Sequence, residues 1–234
     1  MLRAVLVFAF LPTYMALASM VGYPLARLLG SPALLYTLAR FGMRVGLLLA
    51  GTRIEIEGAE RLADLRNTVV MANHVSLLDA PVLALILKVD FRAVAKKEVF
   101  RFPFLGYCLR FAGFIEVDRS NRAQATRAID RAVESLKAGS CFIVFPEGTR
   151  TRTGELGAFK KGAFLVAIDA RSRIVPVALS GIGERMPRRG YPIRPGVVRV
   201  SVLDPVEAGS YSYDDRDGLI ADVRRRIDAA LTAR

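Results

Sequence analysis

Uncharged sequence fills residues 4–26 and again 28–39, with Arg27 between them; Arg40 and Arg44 then interrupt an apolar run that ends near Ala50. The first run is long enough to cross a bilayer as a helix, and the second is too short. Pro12, Gly22 and Pro24 weaken the first as a straight span. Ser31 and Pro32 form a good helix start, so two helices joined near Gly30 are expected. From residue 53 onward the pattern changes to short apolar runs alternating with longer amphipathic stretches. Strands are expected at 53–57, 68–72, 91–95, 113–117, 141–145, 175–179 and 197–203. Helices are expected at 77–87, 97–110, 121–137, 160–171 and 217–233. In the third of these, Ala125, Ile129, Val133 and Leu136 recur at helical spacing and Gly139 is a natural stop. In the last, Leu219, Ile220, Val223, Ile227 and Leu231 form an apolar face opposite Arg224, Arg225 and Arg226. Alternation of this kind predicts an α/β fold, three layers around a mostly parallel central sheet. Residues 1–50 form an apolar two-helix element, residues 51–234 the α/β domain, and residues 181–196 an exposed loop rich in Gly, Pro and Arg.

Composition adds a surface to this picture. The chain has 234 residues, 53% of them hydrophobic, and a formal net charge of +12. Mean hydropathy is +0.33 and the isoelectric point about 10.3. Such a balance points to an anionic partner and, with the apolar helices, to a membrane. No zinc-finger spacing, basic zipper or RNA-binding aromatic motif is present, so nucleic acid is the weaker choice. Arg27, Arg40 and Arg44 suit helices lying in one leaflet with their guanidinium groups at the headgroups, the alternative being that the first helix spans. A signal peptide cut after Ala18 fits less well, because Pro12 interrupts the apolar region and apolar sequence continues beyond it. Cys108 and Cys141 each lie among large apolar residues and read as buried free thiols. One histidine and two scattered cysteines do not make a structural zinc site.

The chemistry concentrates in a few places. His74, the only histidine, follows the buried run 68–72 and precedes the helix at 77–87, with Asp79 five residues on. An imidazole and a carboxylate so placed suit a general base and its orienting partner. On a regular helix five residues put two side chains about 140° apart, so the pair meets only if the chain turns between them. The plainer reading is a turn with Ser76 as a cap and Asp79 as a first-turn charge. Phe145, Pro146, Glu147, Gly148, Thr149 and Arg150 follow the strand expected at 141–145. Ligand sites in open α/β sheets collect at carboxyl ends of strands. Backbone donors around Gly148, together with Arg150, suit a phosphate, and Arg152, Lys160 and Lys161 add positive potential. An exposed turn with a Glu147–Arg150 ion pair is the plainer alternative. Arg119 ends the strand at 113–117, and Pro176 lies in a strand at 175–179. A proline there ordinarily marks an edge strand.

Taken together, these stretches resemble the glycerolipid acyltransferase family, in particular bacterial 1-acyl-sn-glycerol-3-phosphate acyltransferases. The His-x-x-x-x-Asp block matches at His74 and Asp79, a second block ends in Arg119, the Phe-Pro-Glu-Gly-Thr-Arg block matches at 145–150, and a Val-Pro block lies around Pro176. The resemblance covers roughly residues 50–205, and Thr151 stands where the third block usually has Ser. It implies acyl transfer from acyl-CoA or acyl-carrier protein to the sn-2 hydroxyl of lysophosphatidic acid, giving phosphatidic acid. His74 would be the base and Asp79 its orienting carboxylate, with Arg119, Glu147, Gly148, Thr149 and Arg150 on the acceptor side. Glu147 would orient the turn and the acceptor rather than move protons. No metal or cofactor is implied. Implied partners are lysophosphatidic acid, anionic phospholipids and the acyl thioester, and the implied location is the cytoplasmic face of the inner membrane, monotopic or single-span. The alternatives are the same chemistry on a lyso-ornithine lipid or other lysophospholipid, a Ser76 acyl-enzyme, and a non-catalytic basic membrane-surface protein.

Overall fold

The computed structural model describes residues 2–118, 120–151, 155–185 and 193–233. Two long helices come first, α1 (Leu2–Leu28) and α2 (Ala33–Ala50). They turn at Gly30, whose φ of 67° is left-handed and favours glycine there. They pack through small residues: a Cβ on Gly42 would meet Tyr14 Cε1 at 2.3 Å, and one on Gly46 would meet Leu11 Cδ2 at 2.8 Å. Outside that seam α1 stays apolar and open, with Val5, Leu17, Val21 and Leu28 exposed.

The chain then enters a seven-stranded sheet. Its strands are β1 (Thr52–Glu57), β2 (Thr68–Ala72), β3 (Phe91–Arg92), β6 (Cys141–Val144), β7 (Arg173–Ser180), β8 (Gly196–Val202) and β9 (Val206–Glu207). The spatial order is β1-β8-β7-β2-β6-β3, with β9 on β7. The β1/β8, β2/β6, β2/β7 and β3/β6 pairs are parallel, while β7/β8 and β7/β9 are antiparallel. The sheet is thus mostly parallel, as expected. A small parallel pair, β4 (Val94–Lys96) with β5 (Ile115–Val117), stands apart. The strand expected at 91–95 is therefore shared between two sheets.

β2 is buried on both faces. Val70 and Ala72 point into one core with Leu83 and Leu87; Val69 and Met71 point into the other with Leu136, Phe164 and Val223. The first core is closed by α2 and α3 (Asp79–Ile86), the second by α5 (Arg122–Lys137), α6 (Gly162–Asp169) and α8 (Arg216–Thr232). Helices on both faces of a parallel sheet make the three layers, and they explain why β2 reads as a continuous apolar run. Cys108 and Cys141 are buried and free, and burial pushes the Cys141 thiol up to about 12.

Three local expectations are corrected. The helix expected at 97–110 is broken: a 3-10 turn at Val99–Arg101 precedes α4 (Leu105–Phe111), and Pro103 separates them. On α5 Ala125, Val133 and Leu136 pack on the core as expected, with Ala128 and Ala132 buried between them, but Ile129 faces solvent at 38% exposure. β7 is central, between β8 and β2, rather than an edge. Its proline is tolerated because Pro176 lies between the β9 pairing at Ile174 and the β8 pairing at Val177, and there its carbonyl accepts from Leu203 N at 2.9 Å. The missing N–H thus falls at a gap in the ladder. Between them, β7 and the short helix α7 (Ile182–Arg185) lead toward the residues that follow β2.

The α1–α2 seam gives a direct test. Gly42→Val should push Tyr14 aside and lower stability by about 1–3 kcal/mol, read as a lower melting temperature in detergent.

Candidate active site

The site forms where β2 and β6 end side by side. Their parallel register, Met71 opposite Val144, sends residues 73–78 and 145–151 out of the same edge of the sheet. Asn73 comes first and is 2% exposed. Its side-chain amide donates to the Leu179 carbonyl at 2.9 Å, and its oxygen accepts from Leu179 N at 2.7 Å. A side chain therefore continues the β2–β7 ladder one step past Ala72 and fixes the direction in which the chain leaves the sheet.

His74 and Asp79 do meet. Nδ1 of His74 lies 2.7 Å from Oδ2 of Asp79. The same oxygen accepts from Val75 N at 2.7 Å and Ser76 N at 2.8 Å. The intervening residues wrap around the carboxylate, and α3 begins only at Asp79, two residues later than expected. Asp79 is fully buried while the His74 side chain keeps 22% of its surface exposed. The carboxylate accepts Nδ1–H, so the edge left to a substrate is that of Nε2. The imidazole stacks on Phe145, ring centroids 4.1 Å apart and planes at 16°. Ser76 is 1% exposed and its Oγ accepts from Leu78 N at 3.3 Å, a local Ser turn ahead of α3 that does not present a nucleophile.

The loop after β6 grips the His74 main chain from both sides. Glu147 Oε1 accepts from His74 N at 2.7 Å, and Thr151 N donates to the His74 carbonyl at 2.9 Å. Glu147 Oε2 accepts from Gly157 N at 2.9 Å. The glutamate is 6% exposed, so its carboxylate faces the protein and braces two loops. This is the turn-orienting part of its expected role, and it excludes the Glu147–Arg150 ion-paired turn as the use of that carboxylate. Gly148 has φ of 74°, with its N–H donating to Phe145 O at 2.9 Å. A Cβ on Gly148 would meet Lys160 Nζ at 2.9 Å, so an ammonium lies over the turn. Thr149 is exposed and Arg150 half-buried. Together they carry a hydroxyl and a guanidinium on the loop that holds His74.

Arg119 and Arg152 lie outside the described residues. Asp118, next to Arg119, is anchored: Lys97 and then the Ser120 hydroxyl and N–H donate to its carboxylate and hold it at about 2. Among the described residues no cluster of His, Cys, Asp and Glu is arranged to hold a metal ion. Sequence reasoning missed Asn73 and Phe145 as parts of the site. Asn73 had one signal, an amide directly before the histidine at the end of a buried strand. Phe145 opens the Phe-Pro-Glu-Gly-Thr-Arg block, but as the last residue of an apolar strand it gave no sign of a stack on His74.

Both buried braces can be tested by stability. Asn73→Ala leaves Leu179 N–H and C=O without their partner and should cost about 1–3 kcal/mol. Asn73→Asp should be worse, because it sets an oxygen against the Leu179 carbonyl. Glu147→Ala exposes the His74 and Gly157 amides to the same penalty, about 1–3 kcal/mol, read by thermal or denaturant unfolding.

The sequence profile of the family described as Acyltransferase matches residues 53–180. A 1-acyl-sn-glycerol-3-phosphate acyltransferase of Salmonella typhimurium is 33% identical over 196 residues, 82% of this chain and 79% of that protein. A chloroplastic 1-acyl-sn-glycerol-3-phosphate acyltransferase of Arabidopsis thaliana is 36% identical over 156 residues, 66% of this chain but 44% of that one. The chain likewise spans 60% and 61% of two Limnanthes relatives, and so about half the length of several curated relatives it matches. The crystal structure of the 1-acyl-sn-glycerophosphate (LPA) acyltransferase PlsC from Thermotoga maritima aligns with a TM-score of 0.82 over 99% of this chain and 95% of that one, at 24% identity, a likeness of fold. With the matched segment running from β1 through β7, more than half of its length, the chain belongs to the acyltransferase family.

Proposed function

We propose that this protein transfers an acyl group from a thioester, acyl-CoA or acyl-carrier protein, to the sn-2 hydroxyl of 1-acyl-sn-glycerol-3-phosphate, giving phosphatidic acid. The observation that carries this reading is the His74–Asp79 pair: a buried carboxylate oxygen holds Nδ1 at 2.7 Å, which leaves Nε2 as the free ring nitrogen of a side chain that is 22% exposed. The names of the relatives supply the acceptor.

In the proposed reaction the acceptor hydroxyl gives its proton to His74 Nε2 as its oxygen attacks the thioester carbonyl. The imidazolium formed is stabilised by Asp79, which also fixes the ring tautomer. The tetrahedral intermediate collapses, the C–S bond breaks, and the imidazolium returns its proton to the departing thiolate. Ester and free thiol are the products, and the base is regenerated. This is the serine-hydrolase logic with the substrate hydroxyl in place of a serine. Nothing in the sequence of steps calls for a metal or redox cofactor. Phe145, stacked flat on the imidazole, keeps the ring from rotating out of the plane Asp79 sets.

Arg150, Gly148 and Thr149 are proposed to take the acceptor phosphate, with Lys160 adding charge above the Gly148 turn and Arg119 contributing from its own segment. Glu147 acts through the His74 main chain, a positioning rather than a substrate contact. The α1–α2 pair is proposed to rest on the cytoplasmic face of the inner membrane, where acceptor and product reside. Both helices are long and apolar enough to cross a membrane, and α1 leaves most of its apolar surface uncovered. A net charge of +12 would strengthen adsorption to anionic lipid.

Thiol release from palmitoyl-CoA, with and without lysophosphatidic acid, tests the reaction. Acceptor-dependent release should fall by about 10²–10⁴ in His74→Ala and in Asp79→Asn. Release that ignores the acceptor would make the protein a thioesterase. Ser76→Ala should retain turnover; complete loss with intact folding would reinstate an acyl-enzyme. Arg150→Ala should raise the KM for lysophosphatidic acid about tenfold or more, through loss of a charged hydrogen bond, and leave that for the thioester nearly unchanged. Equal loss with an acceptor lacking the phosphate would remove Arg150 from its recognition.

A further inference from the structure

Between β4 and β5 the chain makes a protrusion that the catalytic reading does not use. Phe102, Phe104 and Tyr107 stand 59%, 42% and 57% exposed there, on the 3-10 turn and the start of α4. Three large aromatic rings open to solvent within six residues are unusual on a soluble face.

The protrusion is fastened to α1. Tyr107 packs against Tyr23 with centroids 5.5 Å apart, and Phe111 meets Tyr23 edge-on at 6.3 Å. Cys108 is buried with Ala26 and Leu35, and its thiol contacts the Ser19 carbonyl. Of the exposed rings Tyr107 thus lies directly against α1, a helix that is itself open and apolar, with Leu28 84% exposed. Cations border them: the Arg27 guanidinium sits over Phe111 at 5.3 Å, and that of Arg110 over Phe100 at 5.2 Å. Residues 96–111 carry four basic side chains and one acidic one, Glu98.

The backbone holds the rings out against a conformational cost. Phe104 has φ of 60° and ψ of −47°, and Leu105 N donates to Pro103 O at 2.6 Å. That is a γ-turn of the rare, strained kind, at a bulky residue. It is backed by Gly106, where a Cβ would come within 2.1 Å of the Phe100 carbonyl oxygen. In that strained turn the Phe104 residue keeps 42% of its surface exposed.

We propose that this protrusion is a third membrane-contacting element, whose aromatic side chains enter the headgroup boundary of an anionic leaflet beside α1. Aromatic rings bordered by arginines are the side chains that partition to that depth, with apolar bodies below and cations at the phosphates. The inference rests on the docking reading of α1 and α2 and adds a fixed orientation to it. Two points of contact, the helix pair and a rigid tip packed on it, would stop the domain from pivoting about α1.

The chain contains no tryptophan, so single replacements are clean reporters. Phe102→Trp, Tyr107→Trp and, as a reference on α1, Leu17→Trp are each reconstituted into vesicles of phosphatidylcholine and phosphatidylglycerol with brominated or unmodified acyl chains. Melting temperature and thiol release confirm that each variant is folded. All three should show blue-shifted emission and lose fluorescence to brominated lipid, Phe102→Trp and Tyr107→Trp to a similar extent. Quenching of Leu17→Trp alone would overturn the third element while leaving the helix pair docked. Quenching of none would overturn the docking reading and this inference with it. Blue-shifted but unquenched emission at Phe102→Trp that grows with protein concentration would assign the patch to a second copy of the chain, also against the proposal.

Discussion

The main chain of one residue, His74, is held from two directions by one loop. Its N–H goes to the Glu147 carboxylate and its carbonyl receives Thr151 N–H. Those partners lie about seventy residues away, and they arrive only because β2 and β6 run parallel in adjacent positions with Met71 opposite Val144. A histidine ring can be aimed only as well as its backbone is fixed. The orientation of the imidazole, its bond to Asp79 and its stack on Phe145 all inherit this clamp. The same loop carries Gly148, Thr149 and Arg150, so whatever binds there is placed relative to the ring by the two hydrogen bonds that clamp His74.

The second half of the constraint is local. Asp79 Oδ2 gathers two backbone amides and the imidazole on one atom. A fully buried carboxylate would be costly without such donors. The amides of Val75 and Ser76 point at it because the chain curls before α3 begins, and the helix start itself favours a negative group there. Turn and orienting group are therefore one structure. No side chain caps α3, so of the plain reading the first-turn acid is what remains, and the carboxylate it describes is the one that holds the imidazole.

How much of this was legible follows from where the information lies. The five-residue spacing of His74 and Asp79 showed that a turn had to intervene, because a helix would have separated them, and the turn is there. The layers were legible from the apolar runs, since β2 and β7 had to be buried on both faces. Asn73 was not, because its partner is the main chain of Leu179, 106 residues away, and backbone groups leave no mark on the sequence pattern. Nor was the central place of β7. Pro176 argues for an edge, and only the offset between β9 and β8 shows how its missing donor is accommodated. The break before α4 had a visible cause in Pro103, overridden by an apolar pattern that continued through it. Arg119 lies outside the described residues, and only its neighbour Asp118 is seen to be tied down.

Apolar residues that do not complete a core are the other consequence of this chain's composition. The chain from α2 onward closes two cores, one on each face of the sheet, without needing the outer surface of α1. That surface and the rings at Phe102, Phe104 and Tyr107 are instead left partly open, with Tyr23 of α1 against Tyr107. Full burial of such a ring is worth roughly 1.5–3 kcal/mol, so a fold that leaves each of them about half exposed, with Phe104 in a strained turn, forgoes a part of that stability in water. A bilayer could restore that term, since the rings would then leave water on docking rather than on folding. On this reasoning the apolar excess of the sequence and the strained turn have one cause.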